Sequence, residues 1–207
     1  MKIETLNCAG FMQAIHGMRN PMNSWEKSDS VNDVDIYGNE YQIVGANDRE
    51  LSLKLQKAGA EHCKHLRMIM VWADITAPRY WWNEFDTYRI GVEKVSCSTM
   101  HKLMARPLTV DDFEHDAPTD KVLQALVDHM NGLMKYYQKQ DDPVQKQLTW
   151  KKIIQMLPQS YIQKRTVMMS YAALRNIYRQ REGHKLSEWE VFRDWVESLP
   201  ESWMVTE

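Results

Sequence analysis

Between Pro143 and Arg181 the chain has no Asp or Glu over 39 residues, yet it carries Lys146, Lys151, Lys152, Lys164, Arg165, Arg175, Arg179 and Arg181. The whole sequence has a formal charge of only −2, so this asymmetry is local. A balanced total argues against a general nucleic-acid binder and leaves room for a local site that holds an anion such as phosphate. Cysteine is scarce: Cys8, Cys63 and Cys97 are odd in number and widely spaced. With no signal-peptide-like stretch ahead of them, a disulfide framework is not expected and a reducing cytoplasm is. Long apolar runs are missing too. Met68–Ala73 falls far short of a membrane span, so no membrane partner is expected. Neither a Gly-rich phosphate loop, nor a nucleophile elbow, nor an HExxH sequence is present.

What is abundant is ordinary for a globular protein, with 43% hydrophobic and 26% charged residues. Eight Trp and fourteen Met are high, and point to a large core or an oligomer interface. At 207 residues one domain over 1–207 is expected. MKIETLNCAG reads as a short strand and FMQAIHGM as a short helix stopped at Asn20-Pro21. Residues 20–46, rich in Asn, Asp, Ser and Gly, read as a long, lid-like loop with a turn at Tyr37–Tyr41. Asn47 and Glu50 form a capping-box pattern for a helix through Leu66. Met68–Ile75 fits a helix extension or a buried strand, and Asp86–Ser98 fits one strand or two.

Thr109 with Asp111 and Asp112 reads as a cap and acidic first turn, and residues 116–120 as a linker. The half from 121 to 200 reads as helical. An amphipathic helix starts near Lys121, a second runs from Pro143 to Leu157, and a third from Ser160 to Glu182 with Val167, Tyr171, Leu174 and Tyr178 as its stripe. Gly183 closes the third helix, and Ser187 with Glu190 caps a last one that ends at Pro200. A mixed first half and a helical second half make the fold class α+β, helix-rich with a small sheet.

Three clusters invite a site. His62, Cys63 and His65 lack a second ligand pair at a recognised spacing, so no metal is expected. The acidic run Asp111–Asp116 is expected to be a solvated helix start, and nothing marks Cys97, near His101, as an activated nucleophile. The third cluster combines several features. Ala172, Arg175, Asn176 and Arg179 stand at i, i+3, i+4 and i+7 and share a helical face. Arg181 sits at the helix end, where the macrodipole already favours a cation. A guanidinium fork suits phosphate or a pyrimidine carbonyl edge, and a plain solvated basic face is the competing explanation.

Leu157-Pro158, then Leu174, Asn176 and Arg181, then Trp189-Glu190-Val191 resemble the C-terminal part of flavin-dependent thymidylate synthases, with a one-residue insertion in the turn. The resemblance implies the family's fold, FAD as cofactor, a homo-oligomer (a tetramer in the family) and a pyrimidine nucleotide as small-molecule partner. It also implies that Asn176 and Arg181 line the flavin and deoxyuridylate site, with Arg181 in the catalytic position. Beside them, Arg175 and Arg179 are expected to add anion contacts to the nucleotide, and His101 and Lys102 to the cofactor. The sequence departs from the family at Ser170 and Ala172, where the family has Asn and Arg. The family's signature R-H-R-x-x-S-x-N-x-x-S-x-R-Y is not present; Met100-His101-Lys102, after the strand expected at Phe85–Cys97, is a weak echo of its start, and ARPLTVDDFEHDA downstream has none of its Ser, Asn and Arg-Tyr elements. Three functions follow: a nucleotide- or flavin-binding enzyme, a non-catalytic nucleotide-binding protein of the same fold, and a basic helical module for nucleic acid or protein.

Overall fold

Alternation decides the central strand. In the computed structural model, which describes residues 1–38, 40–116 and 121–207, strand β4 (Met70–Pro78) buries Val71, Ala73, Ile75 and Ala77 completely, each two residues from the last. It lies between β1 (Lys2–Ala9) and β6 (Ile162–Ser170), and β5 (Val92–Ser96) completes the order β1-β4-β6-β5. A separate antiparallel hairpin pairs β2 (Val31–Val34) with β3 (Glu40–Ile43), in a register that sets Val31 opposite Ile43 and Asp33 opposite Tyr41. The chain is α+β, as the sequence implies.

Several elements differ from expectation, each for a definable reason. Residues 160–182 are not one helix: β6 occupies Ile162–Ser170 and α7 only Tyr171–Gln180. Val167 and Met169 alternate into the core, while the helical stripe proper is Tyr171, Leu174 and Ile177, not Tyr178. The half from 121 to 200 is therefore not wholly helical. The 20–46 loop is two short 3₁₀ turns, Asn20–Met22 and Trp25–Lys27, followed by the β2–β3 hairpin. Asn39 of the expected turn lies outside the described residues, as do 117–120 of the expected linker.

Helix α2 (Ala46–Ala58) stops at Gly59 rather than reaching Leu66, and Lys64–Arg67 form a 3₁₀ turn. Its cap is not the Asn47–Glu50 box. Asp29, from outside the helix, accepts the N–H groups of Asn47 (2.9 Å) and Asp48 (3.2 Å). The face it buries is polar, with Asp48, Ser52 and Gln56 one turn apart. Ser187 makes no side-chain cap either, and α8 (Glu188–Glu197) begins directly after it. The expected strand or two over Asp86–Ser98 is β5 alone, because the residues that follow α3 (Arg79–Phe85) turn before Val92. Strand β1, helix α1 (Phe11–Arg19), helix α5 (Lys121–Lys139) and helix α6 (Pro143–Met156) lie within a residue or two of their expected places.

The chain forms two compact units. One comprises Met1, 76–86 and 95–165. Its α5–α6 pair and the short helix α4 (Thr99–Lys102) enclose Leu103, Phe113, Val127, Met130 and Ile153, and Trp81, Trp82 and Phe85 stack within it. Burying one such indole removes on the order of 200 Å² of surface, about 5 kcal/mol of favourable transfer. The other comprises 2–75, 87–94 and 166–207. It packs Phe11 edge-on to Tyr171 at 5.4 Å, and holds Leu174, Ile177, Trp189, Phe192 and, from α9 (Trp203–Thr206), Met204 and Val205. High Trp content thus goes into core to a substantial degree.

Candidate nucleotide site

Helix α7 is placed by its first residue. Ser170 ends β6 and caps the helix, its Oγ accepting the Ala173 N–H at 3.2 Å. The Ser170 N–H donates to the Gly91 carbonyl at 2.9 Å, and the Tyr171 N–H to that of Ile69 at 3.0 Å. Gly91 has φ +71°, and a Cβ there would lie 2.6 Å from Ser170 Oγ, so the approach requires glycine. With Tyr171, Leu174 and Ile177 turned to the core, the opposite face is free to line a cavity.

That cavity has a volume of about 730 Å³, and all four residues of the shared face, Ala172, Arg175, Asn176 and Arg179, line it. Leu66, Met70 and Ile90 supply an apolar wall, and Arg67 a third guanidinium. No Asp or Glu among the described residues lines it. Arg175 is partly buried, and its Nε has no hydrogen-bond partner among the described residues. Burial, then the neighbouring Arg179 charge, pull its pKa below the ordinary guanidinium value, yet an arginine stays cationic at neutral pH. Arg179 Nη2 donates to the Glu207 carbonyl at 2.7 Å, and Asn176 Oδ1 accepts from Gln180 Nε2 at 2.9 Å. The Cys63 thiol, also lining the cavity, donates to the Gly59 carbonyl at 3.3 Å. His65 is buried, with Nε2 2.9 Å from Ser52 Oγ. Burial chiefly, and the Arg175 charge besides, lower its pKa to about 4, so it is neutral at physiological pH.

Arg181 lies elsewhere. It is the C-terminal cap of α7, followed by Gly183 at φ +63°, and it does not line the cavity. Its guanidinium stacks 4.3 Å from the Trp189 ring and its Nε donates to Tyr88 Oη at 2.8 Å. His101 and Lys102 close α4, whose cap is Ser98 Oγ on the His101 N–H (3.2 Å). His101 lines a different cavity with Met100, Met104, Tyr137 and Trp150, and Lys102 is exposed. The structure therefore joins Arg175, Asn176 and Arg179 and adds Arg67. Sequence reading missed Arg67, since it lies 108 residues before Arg175 and no local pattern ties the two segments together.

The other clusters are accounted for locally. His62 pairs with Glu61 at 3.6 Å, while Cys63 and His65 point to separate partners. Asp112 accepts the Thr109 N–H (2.8 Å) and pairs with Arg106. No group of three His, Cys, Asp or Glu among the described residues is arranged to hold a metal ion. No helix among them is long and apolar enough to cross a membrane.

Sheet order and helix placement define a helix-rich α+β fold, with the cationic face of α7 lining its cavity. Among solved structures, that fold is the one of flavin-dependent thymidylate synthase. Thymidylate synthase X (ThyX) of Helicobacter pylori, solved with FAD and dUMP, matches with a TM-score of 0.73 over 100% of this chain and 98% of that one, at 16% identity. A second structure of the Helicobacter pylori enzyme, also complexed with FAD and dUMP, matches with a TM-score of 0.71 and 17% identity over the same shares. No protein-family model and no curated protein matches the chain. The likeness establishes a ThyX-like fold.

Proposed function

We propose that this chain binds a phosphate-bearing nucleotide, a pyrimidine nucleotide or a flavin, in the α7 cavity. One observation carries the reading: among the described residues, three guanidinium groups line one cavity without a carboxylate, and the buried Nε of Arg175 has no hydrogen-bond partner. A buried donor left unpaired costs about 1–3 kcal/mol, and an anion that accepts from it recovers that cost. In this reading Arg67, Arg175 and Arg179 neutralise the phosphate, and Asn176 offers a neutral contact. The wall of Leu66, Met70 and Ile90 covers the ring and excludes water, which strengthens each charge contact. The residues also fit FAD, whose diphosphate would meet the same three arginines. A flavin held there would supply hydride or electron-pair transfer.

Arg181 takes a positioning role here, holding Tyr88 and Trp189. The test is thermal shift and calorimetry with dUMP, FMN and FAD, applied to the wild type and to Arg175→Ala and Arg181→Ala. A ligand at a hundred times its Kd stabilises by about 2.7 kcal/mol. Arg175→Ala should weaken binding by roughly tenfold or more, whereas Arg181→Ala should lower the melting temperature and keep the ligand shift. Loss of the shift in Arg181→Ala alone would overturn this placement and restore Arg181 to the nucleotide.

Binding without turnover is the second reading. It is favoured by the aromatic hold on Arg181 and by Met100-His101-Lys102 in place of the family's R-H-R. A dUMP methylation assay on flavin-loaded protein separates the two readings. The three cysteines are free, which supports a reducing, cytoplasmic setting.

A further inference from the structure

The cations of the α7 cavity differ in depth. Arg175 is half-buried, and its Nε is fully buried with no hydrogen-bond partner among the described residues. Arg179, one turn further along the same face, is exposed, as is Arg67 in the 3₁₀ turn that follows α2. The cavity therefore has one inner guanidinium and two at its opening.

Among the described residues, none of the three arginines pairs with a side-chain carboxylate. Arg179 Nη2 donates to the main chain of Glu207, but the side-chain carboxylate of Glu207 faces Arg49 at 2.9 Å. The other polar linings are the Cys63 thiol, turned to the Gly59 carbonyl, the Ser170 hydroxyl that caps α7, and the Asn176 amide. Like charges gathered in a low dielectric repel strongly, so the ligand that neutralises all three is favoured. A phosphate monoester carries about −2 at neutral pH and leaves one guanidinium unmatched. The diphosphate within FAD is esterified at both ends and also carries about −2. A terminal diphosphate carries about −3, and its two phosphates can divide between an inner and an outer cation.

We propose that the α7 cavity takes a nucleoside diphosphate, with the inner phosphate on Arg175 and the terminal phosphate between Arg67 and Arg179. Arg179 keeps its bond to Glu207 in the complex, since a guanidinium has five N–H donors and that bond uses one. Arg67 and Arg179 then set specificity, by rewarding a second phosphate, while Arg175 serves any phosphate that enters. This inference rests on the nucleotide reading and narrows it to one ligand class.

Calorimetry on the full chain tests it, at fixed ionic strength and without divalent cation. The probes are inorganic phosphate, pyrophosphate, dUMP and dUDP, with citrate as a polyanion of similar charge and different shape. The wild type should bind dUDP and pyrophosphate roughly tenfold or more tighter than dUMP and phosphate, and pyrophosphate tighter than citrate. Arg67→Gln combined with Arg179→Gln, both at exposed positions, should keep the unliganded melting temperature and bind dUDP and dUMP about equally. Arg175→Gln should weaken both nucleotides and keep their ratio. Equal affinities for dUMP and dUDP in the wild type, citrate as tight as pyrophosphate, or a ratio that survives the double variant would each overturn the diphosphate class and leave a nucleotide site standing. A wild type that binds none of the phosphates would overturn the nucleotide reading itself, and this inference with it.

Discussion

Asp48 has no solvent exposure and accepts five hydrogen bonds: from Arg19 Nε (2.5 Å), from the hydroxyls of Ser28 and Ser30, and from the N–H groups of Asp29 and Ser30. Burial alone would raise its pKa; the bonds from Ser28, Ser30 and Arg19 outweigh that and hold it below the ordinary value. The unfolded chain then binds its proton more readily, so the stabilisation is present above the unfolded aspartate pKa and vanishes as pH falls through the folded one. Asp48→Ala leaves Arg19 buried without its partner, and should cost about 3–5 kcal/mol in urea unfolding at pH 7. His65 acts over a different window. Its folded pKa of about 4 lies below the ordinary 6.5, so the unfolded state takes up the proton first as pH falls. Stability should decline from about pH 6.5 to about pH 4, and His65→Gln should flatten that part of a urea-midpoint profile. An unchanged slope would show that His65 does not remain neutral in the fold.

At the scale of elements, the start of α7 concentrates the risk. Gly91, the Ser170 cap and the end of β6 meet within hydrogen-bond distance. Gly91→Ala adds a Cβ at positive φ against the capping hydroxyl, and should destabilise by about 1–3 kcal/mol, read as a lower melting temperature. Ser170→Ala, which removes the cap and leaves the backbone conformation, should cost about 1 kcal/mol. Equal losses in the two variants would mean that the cap, not the close approach, carries the constraint. Helix α2 makes a related point, since its cap comes from Asp29 while Asn47 and Glu50 make the local pattern. Short-range signals locate helices well and their ends less well. An 18-residue return to the helix N-terminus leaves no periodic trace.

For the whole molecule, a charge of −2 hides a cationic cavity and a β2–β3 segment, residues 31–43, without Lys or Arg. On the proposed function, nucleotide affinity should therefore fall as salt rises from about 50 to 500 mM, across a Debye length shrinking from about 14 to 4 Å. Titration with dUMP over that range checks it, and an affinity indifferent to salt would count against the three-arginine contact. Much of this molecule was legible beforehand: the α+β class, a buried strand as one of two readings of Met68–Ile75, helices α1, α5 and α6, and a ThyX-like fold carried by a few residues between Leu157 and Val191. Illegible were Arg67, whose place in the cavity depends on the turn after α2, and the boundary inside 160–182, where Val167, Tyr171 and Leu174 mimic one helical stripe.

The sequence by itself determined that Ala172, Arg175, Asn176 and Arg179 share a face, because helical periodicity is a local property that needs no knowledge of the rest of the chain. It also determined the missing carboxylates that leave this face cationic. Only the tertiary structure decided which cations meet there. Arg67 joins them from 108 residues upstream, and Arg181, two residues beyond Arg179, turns to Trp189 and Tyr88 instead. Side chains at neighbouring positions project about 100° apart around a helix, and which direction finds a cavity or an aromatic ring is settled by packing between segments far apart in sequence.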